Sequence, residues 1–276
     1  MVIFFLMNNI LIFFSLILIA FDIFSAEKQV IIQSTTSTRD SGFYEYILPK
    51  YNEVNSTKIR VVSVGTGQAI RNAQRCDGDI LFVHHRKSEE NFVKNGYGLY
   101  RKEVMYNDYV LIGPKSDPAK ILGLKSIKEA LQKIQNSQSL FVSRGDDSGT
   151  HKKETFLWKE FLNEVITTKK YPWYIETGSG MGATLNISVN LSAYTLTDRS
   201  SWIFFGNKKE HMILVENELV LLNPYGIIPI NPKRCKNANI DEAENFINWL
   251  ISPSAQRLIL DYKKDGKQLF FPINKY

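Results

Sequence analysis

At 276 residues with 44% hydrophobic content, the chain is long enough for one large or two medium domains and too apolar to be disordered. Its net charge of +6 is spread over scattered lysines and arginines, with only short pairs such as Lys152-Lys153, Lys169-Lys170 and Lys208-Lys209. That balance suits anionic partners in general and argues against a nucleic-acid interface.

The first stretch, residues 2–24, is almost wholly apolar, broken by Asn8-Asn9 and Asp22, and charged sequence begins at Glu27. It reads as an export signal cleaved near Ser25-Ala26, or as an uncleaved anchor, since the run is long enough to span a membrane. Residues 1–26 are therefore set apart from the fold, and the rest is expected outside the cytoplasm, in the periplasm. In an exported chain Cys76 and Cys235, which fit no metal-ligand spacing, lean towards a disulfide; two buried thiols remain the other possibility.

Strand and helix patterns then alternate. Residues 30–33 read as a strand and 42–55 as a helix that Pro49 should kink. Residues 59–64 read as a strand, 66–74 as a short helix, 79–83 as a strand buried on both faces, and 88–95 as a helix stopped by Gly96. This βαβα order predicts a parallel sheet flanked by helices. A strand at 106–112 ends in Gly113-Pro114, where a first crossing between lobes is expected. Ser126-Ile127-Lys128-Glu129 is a capping box opening a helix to about 135. A strand at 140–143 leads into a helix running to about 167. Gly178-Ser179-Gly180-Met181-Gly182 precedes a helix at 183–191, and strands are expected at 194–198 and 212–222. Asn223-Pro224-Tyr225-Gly226 reads as a turn at the return crossing, followed by helices at 241–251 and 254–262. The division is 27–112 plus 223–276 for lobe 1 and 113–222 for lobe 2.

Three junctions share one character: strand, small polar loop, helix. They are Ser34-Thr35-Thr36-Ser37-Thr38, Gly65-Thr66-Gly67-Gln68, and Ser143-Arg144-Gly145-Asp146-Asp147-Ser148-Gly149-Thr150. Each offers unpaired backbone N–H groups and a positive dipole end to an anion. Arg144 adds a planar fork of donors, and Ser148 and Thr150 add hydroxyls. An ordinary capped helix, with Asp147 or Ser148 as N-cap, uses the same residue types.

Taken as an ordered series, these segments resemble the type II periplasmic solute-binding proteins and, more narrowly, the tungstate-binding component of Tup-type ABC importers. The matching pieces include Thr35–Thr38 with Asp40-Ser41-Gly42, Val64–Ala69, Glu103–Tyr109, Ser143–His151, Gly178–Thr184, Tyr194–Arg199 and Asn223–Gly226. Ser34 stands where that family has a further threonine and keeps the hydroxyl. The resemblance implies an α/β fold of two lobes, with mixed, mostly parallel sheets flanked by helices and two crossing segments. It implies a monomer that binds tungstate or molybdate without cofactor or bound metal ion and passes it to an ABC permease and its ATPase. Carried over residue by residue, Thr36, Ser37, Thr66 and Gly67 would donate from one lobe, and Arg144, Ser148 and Thr150 from the other.

Tungstate carries two charges and no proton at neutral pH, so a site of donors alone suits it. Phosphate usually keeps a proton and wants an acceptor, which Asp146 or Asp147 can supply. A third reading is an exported serine hydrolase using Ser148 with His151, although an i, i+3 pair lacks an orienting acid. His84 and His85 are adjacent on a strand and point to opposite faces, against joint metal ligation. Trp158 and Trp249 read as packing, Asp77 and Asp79 as structural turn residues, and Tyr194 and Asp198 as candidates for the cleft or the hinge.

Overall fold

The computed structural model describes residues 28–163 and 166–273, so the expected signal or anchor at 1–26 lies outside the described residues. β1 (Gln29–Thr35) lies between β2 (Lys58–Val64) and β3 (Ile80–Val83), parallel to both. The all-apolar β3 is buried along its whole length, whereas the edge strand β2 alternates and turns Lys58, Arg60 and Val62 to solvent. Around these strands pack α1 (Thr36–Asp40), α2 (Phe43–Asn52), α3 (Thr66–Gln74) and α4 (Arg86–Lys94); α2 runs on through Pro49.

β4 (Lys102–Pro114) is one long strand. The second lobe follows with α5 (Ile127–Ser137), β5 (Phe141–Ser143), α6 (Gly149–Leu162), β6 (Tyr174–Glu176), α7 (Met181–Asn190), β7 (Thr195–Asp198), α8 (Arg199–Phe204) and β8 (His211–Val215). The chain returns through β9 (Leu222–Pro229), α9 (Ile240–Leu250), α10 (Pro253–Asp261), the small β10 (Lys263–Lys264) and β11 (Lys267–Gln268) ribbon, and β12 (Phe271–Pro272). The first-lobe sheet has the order β2–β1–β3–β9–β4–β12.

The fold is the expected two-lobed α/β arrangement with mixed sheets. Parallel pairing is, among the described strands, confined to β1–β2, β1–β3 and β5–β6, a smaller share than the strand–helix alternation suggests. The reason is that β4 and β9, which carry the chain between lobes, pair antiparallel with their neighbours. β4 changes partner along its length: Lys102–Asp108 pairs with β9, Tyr109–Ile112 with β7, and Leu111–Pro114 with β8. One core forms around Ile32, Phe43, Phe82, Tyr225 and Phe246, another around Leu111, Phe141, Trp158, Tyr174 and Tyr194.

Three local expectations are corrected. Asn223-Pro224-Tyr225-Gly226 is not a turn but part of β9. Its glycine answers to packing: a Cβ at Gly226 would fall 2.1 Å from Glu89 Oε2, which holds Arg101 in a buried ion pair. The strand expected over 212–222 stops at Val215 and gives way to a 3-10 turn at Leu219–Leu221. α6 stops at Leu162, well before 167, because Asn163 adopts a left-handed φ of 51°.

The crossings are tied together. Arg199 donates from Nε and Nη2 to the two oxygens of Asp108, each at 2.6 Å, and its Nη2 also lies 2.6 Å from Glu216. Cys76 and Cys235 form a disulfide, with Cα atoms 5.3 Å apart. Asp79 accepts from the backbone N–H of Ile31 and Asn239, the structural role expected of it.

Candidate functional site

All three polar loops open helices. Thr35 caps α1 by accepting from Thr38 N, Gly65 precedes α3 with no side-chain cap, and Ser148 caps α6 by accepting from His151 N at 3.2 Å. The second and third loops meet across the cleft. Gly149 N donates to Thr66 Oγ1 at 3.0 Å. A Cβ at Gly67 would lie 2.3 Å from Asp147 Oδ2, and one at Gly149 would lie 2.8 Å from His84 Cε1. These glycines let the loops approach more closely than side chains would allow.

Of the residues singled out in the sequence, Ser37, Thr66, Arg144, Ser148 and Thr150 are buried, while Thr36 and Gly67 are half-buried. Arg144 follows β5 and is only 2% exposed. Its Nη2 donates to Asp146 Oδ2 at 2.6 Å, but its Nε has no partner among the described residues. The buried Thr150 Oγ1, Ser201 Oγ, Tyr225 hydroxyl and Asp198 Oδ2 are likewise without one. Buried polar atoms are seldom left so, and a cluster of them marks a place where something else binds.

A second set of polar residues links this region to the crossings. Ser37 Oγ lies 3.0 Å from His84 Nε2, and His84 Nδ1 lies 3.0 Å from Asn223 Oδ1 and 3.3 Å from the Tyr109 hydroxyl. Asn223 Nδ2 donates to Asn107 Oδ1 at 2.7 Å, and Asn107 Nδ2 donates to Ser200 Oγ at 2.9 Å. Ser200 Oγ donates to Asp198 Oδ1 at 2.6 Å, and the same oxygen accepts from Ser201 N. Burial lowers the His84 pKa, Asp198 opposes that shift, and Arg144 adds to it. Burial likewise raises the Tyr109 and Tyr225 hydroxyls far above their ordinary range. His85 points elsewhere, its Nδ1 2.7 Å from Ser88 Oγ, so the two histidines do not converge.

Beside the site opens a groove of about 880 Å³ whose walls include Arg86, Lys87, Lys152 and Lys153. Lys153 sits over the rings of Tyr109 and Phe156, and burial lowers its pKa. Such a basic approach raises the local concentration of anions.

Asp198 lies in this cluster, whereas Tyr194 does not: its hydroxyl donates to Asp117 Oδ1 and accepts from Ala119 N in the second-lobe core. The carboxylates expected to receive a phosphate proton are engaged. Asp146 accepts from Arg144 and Ser148 N, and the exposed Asp147 pairs with Lys152. Ser148 and His151 do not form a nucleophile–base pair, because the ring Nδ1 accepts from Asp147 N instead. Sequence reasoning missed Asn107, Tyr109, His84 and Asn223 as members of the cluster. The available signal was polar residues inside otherwise apolar strands, Asn107 and Asp108 in β4 above all.

Comparison with known proteins agrees with this architecture. Residues 25–254 match the model of the PBP superfamily domain. The tungstate-binding protein TupA of Peptoclostridium acidaminophilum is 42% identical over 251 residues, covering 90% of this chain and 86% of that protein. TupA of Campylobacter jejuni is 39% identical, covering 85% and 87%. Among solved structures, the tungstate-binding protein TupA from Desulfovibrio alaskensis superposes with a TM-score of 0.79 at 40% identity, covering 90% of this chain and all of that one. With two lobes, two crossings and three helix starts facing one closed cleft, the chain belongs to the PBP superfamily and, within it, to the Tup-type solute-binding proteins.

Proposed function

We propose that this protein captures a tetrahedral oxyanion, tungstate first and molybdate next, between its lobes and delivers it to an ABC permease. The observation that carries the reading is Arg144: a buried guanidinium with an unpartnered Nε, beside an unpartnered Thr150 hydroxyl at the start of α6. Nη2 is already paired with Asp146, so it is the unpartnered Nε that calls for a further acceptor, which an oxyanion supplies. Tungstate is favoured by the relatives at about 40% identity that are named for binding it. Thr36, Ser37, Thr66 and Gly67 hold the ligand from the first lobe, and Arg144, Ser148 and Thr150 from the second.

The lobes divide where β4 changes partner, so lobe 1 comprises residues up to Asp108 and from Leu222, and lobe 2 the residues between. The sequence reading put the division at 112 and 223. Closure follows from the ligand touching both lobes, which gives it a higher affinity for the closed state. The chain is exported through its N-terminal segment, acts as a monomer, and depends on the permease's ATPase to drive uptake.

Isothermal titration of the exported portion with tungstate, molybdate, phosphate and sulfate, repeated on Arg144→Ala, tests the reading. Tight tungstate binding that collapses in the variant is expected. Selective phosphate binding would move the protein to a neighbouring specificity, and binding of none of the four would overturn the oxyanion reading.

A further inference from the structure

Asp198 is buried, and its carboxylate can only accept hydrogen bonds. That fixes the direction of every hydrogen bond leading back from it. Ser200 gives its proton to Asp198, so its oxygen accepts from the Asn107 amide nitrogen. The Asn107 oxygen then faces the Asn223 nitrogen, and the Asn223 oxygen faces His84 Nδ1. His84 Nδ1 must therefore carry the proton; the other neutral tautomer would set two lone pairs against each other at 3.0 Å. Nε2 is left as an acceptor, and its partner at 3.0 Å is the Ser37 hydroxyl. Polarised from end to end, the chain points the Ser37 proton at His84 and away from an anion in the cleft.

Tungstate offers no proton in return, so a dianion facing this arrangement meets the Ser37 lone pairs. The charge balance points the same way. Arg144 and Asp198 are buried in this region and Asp146, paired with Arg144, is half-buried; together they leave no surplus positive charge for a ligand of charge −2. We infer that His84 takes up one proton from solvent when the oxyanion binds, reversing its hydrogen bond with Ser37 so that the serine hydroxyl donates to the ligand. No bond to the ligand is made or broken; one N–H is formed, and the Ser37 O–H turns into the cleft. His84 is thus a positioning residue that acts through Ser37. This inference rests on the proposed oxyanion function.

The surroundings of His84 set the sign. Arg144 faces it from the end of β5, Asp198 from the end of β7, and Lys152 and Lys153 across the groove from α6; His85 adjoins it. Tyr109 and Tyr225 contribute neutral hydroxyls, and the Tyr225 ring stacks on the imidazole with centroids 4.8 Å apart. With the cleft empty, burial and Arg144 hold the imidazole neutral below its ordinary range, against the pull of Asp198. Two added negative charges raise its pKa, so the bound state holds more protons. Affinity must then increase as pH falls through the window between the empty and occupied pKa values, by at most about tenfold per pH unit for one proton.

The test is calorimetry of the wild-type protein with sodium tungstate in PIPES, HEPES and Tris at equal pH. Binding heat should track the buffer's ionisation enthalpy, giving uptake of about half to one proton near neutrality. The dissociation constant should rise several-fold from about pH 6.5 to 8.5, and His84→Gln should flatten both dependences. Tight binding by the wild type with heats indifferent to buffer would overturn the inference and leave the proposed function standing. So would full proton uptake retained by His84→Gln. Failure of the wild type to bind tungstate at any of these pH values would overturn both. Should the variant not fold, the wild-type buffer series decides alone.

Discussion

The two walls of the cleft differ in how their polar groups are partnered. On the first-lobe wall Ser37, Thr66 and His84 are uncharged and engaged: Ser37 with His84, His84 with Asn223, and Thr66 with Gly149 N across the gap. On the second-lobe wall Arg144 Nε, Thr150 Oγ1, Asp198 Oδ2 and Ser201 Oγ are buried without partners among the described residues. The Tyr225 hydroxyl is the first lobe's exception, buried without a partner among the described residues. A largely satisfied wall closes on its opposite without strain, while an unsatisfied one gains by enclosing something that supplies the missing contacts. On the proposed reading, the second lobe recognises the ligand's charge and the first closes over it with neutral donors.

The sharpest way to break the contrast is to remove the buried Arg144 guanidinium. Arg144→Ala should weaken tungstate binding by about 3 kcal/mol or more, roughly two orders of magnitude in Kd, as read by titration. Arg144→Lys keeps the charge but loses the fork, and should fall between the two. If Arg144→Ala binds as tightly as the wild type, the second wall is not the recognising one.

Closure is tested separately. Gly149→Ala places a methyl group 2.8 Å from His84 and 3.3 Å from Thr66 Oγ1. Both contacts belong to the opposite lobe, so the methyl group obstructs only the closed state. Overpacking of this kind costs about 1–3 kcal/mol, which predicts a loss of affinity of about five- to 150-fold with the ligand-free melting temperature unchanged. A drop in ligand-free stability of the same size would show that the contact belongs to the fold and not to closure.

Much of the loop chemistry was legible because it is local. The helix over 66–74, the Ser126 cap and the Ser148 cap, one of the two the sequence allowed beside Asp147, are set by neighbours a few residues apart, and the structure has them there. The relay was not legible, since His84 and Asn223 stand 139 residues apart and meet only when β3 and β9 pair. Gly226 misled for the same reason: the close approach of Glu89 that demands a glycine there is invisible until the fold brings α4 against β9. The partner change within β4 also leaves no mark, because one strand pattern runs unbroken through Asp108 and Tyr109.

A third buried polar group shows how the second lobe treats charge away from the cleft. Glu154, on α6, accepts from Trp158 Nε1 and from the Tyr174 hydroxyl, and burial pushes its pKa up to about 7. A folded pKa above the unfolded one means that this group's contribution to stability is whole below about pH 4.5 and is lost as pH rises through 7. Glu154→Gln keeps an acceptor for both donors and removes the ionisation. The variant should therefore gain about 1–2 kcal/mol over the wild type at pH 8 and little at pH 5, by denaturant melts at the two pH values. Tungstate affinity should be unchanged, which separates this buried acid from those of the cleft wall.

The smallest expected effect probes the first wall at the bond that joins its second loop to the start of α6. Thr66→Val preserves the shape of the side chain and removes the oxygen that accepts from Gly149 N. In the open state that N–H reaches water and loses nothing. In the closed state it is buried at the start of α6, where the first backbone donors have no partner inside the helix. Valine keeps the Thr66 backbone N–H for the ligand, so the cost falls chiefly on closure, at about 1 kcal/mol, or roughly fivefold in Kd. Because the ligand enters the open cleft before the lobes close, the loss should appear as faster tungstate release in stopped-flow displacement, with the association rate nearly constant. A slower association with unchanged release would instead place the Thr66 hydroxyl on the path into the cleft, which would dissolve the division of labour between the walls.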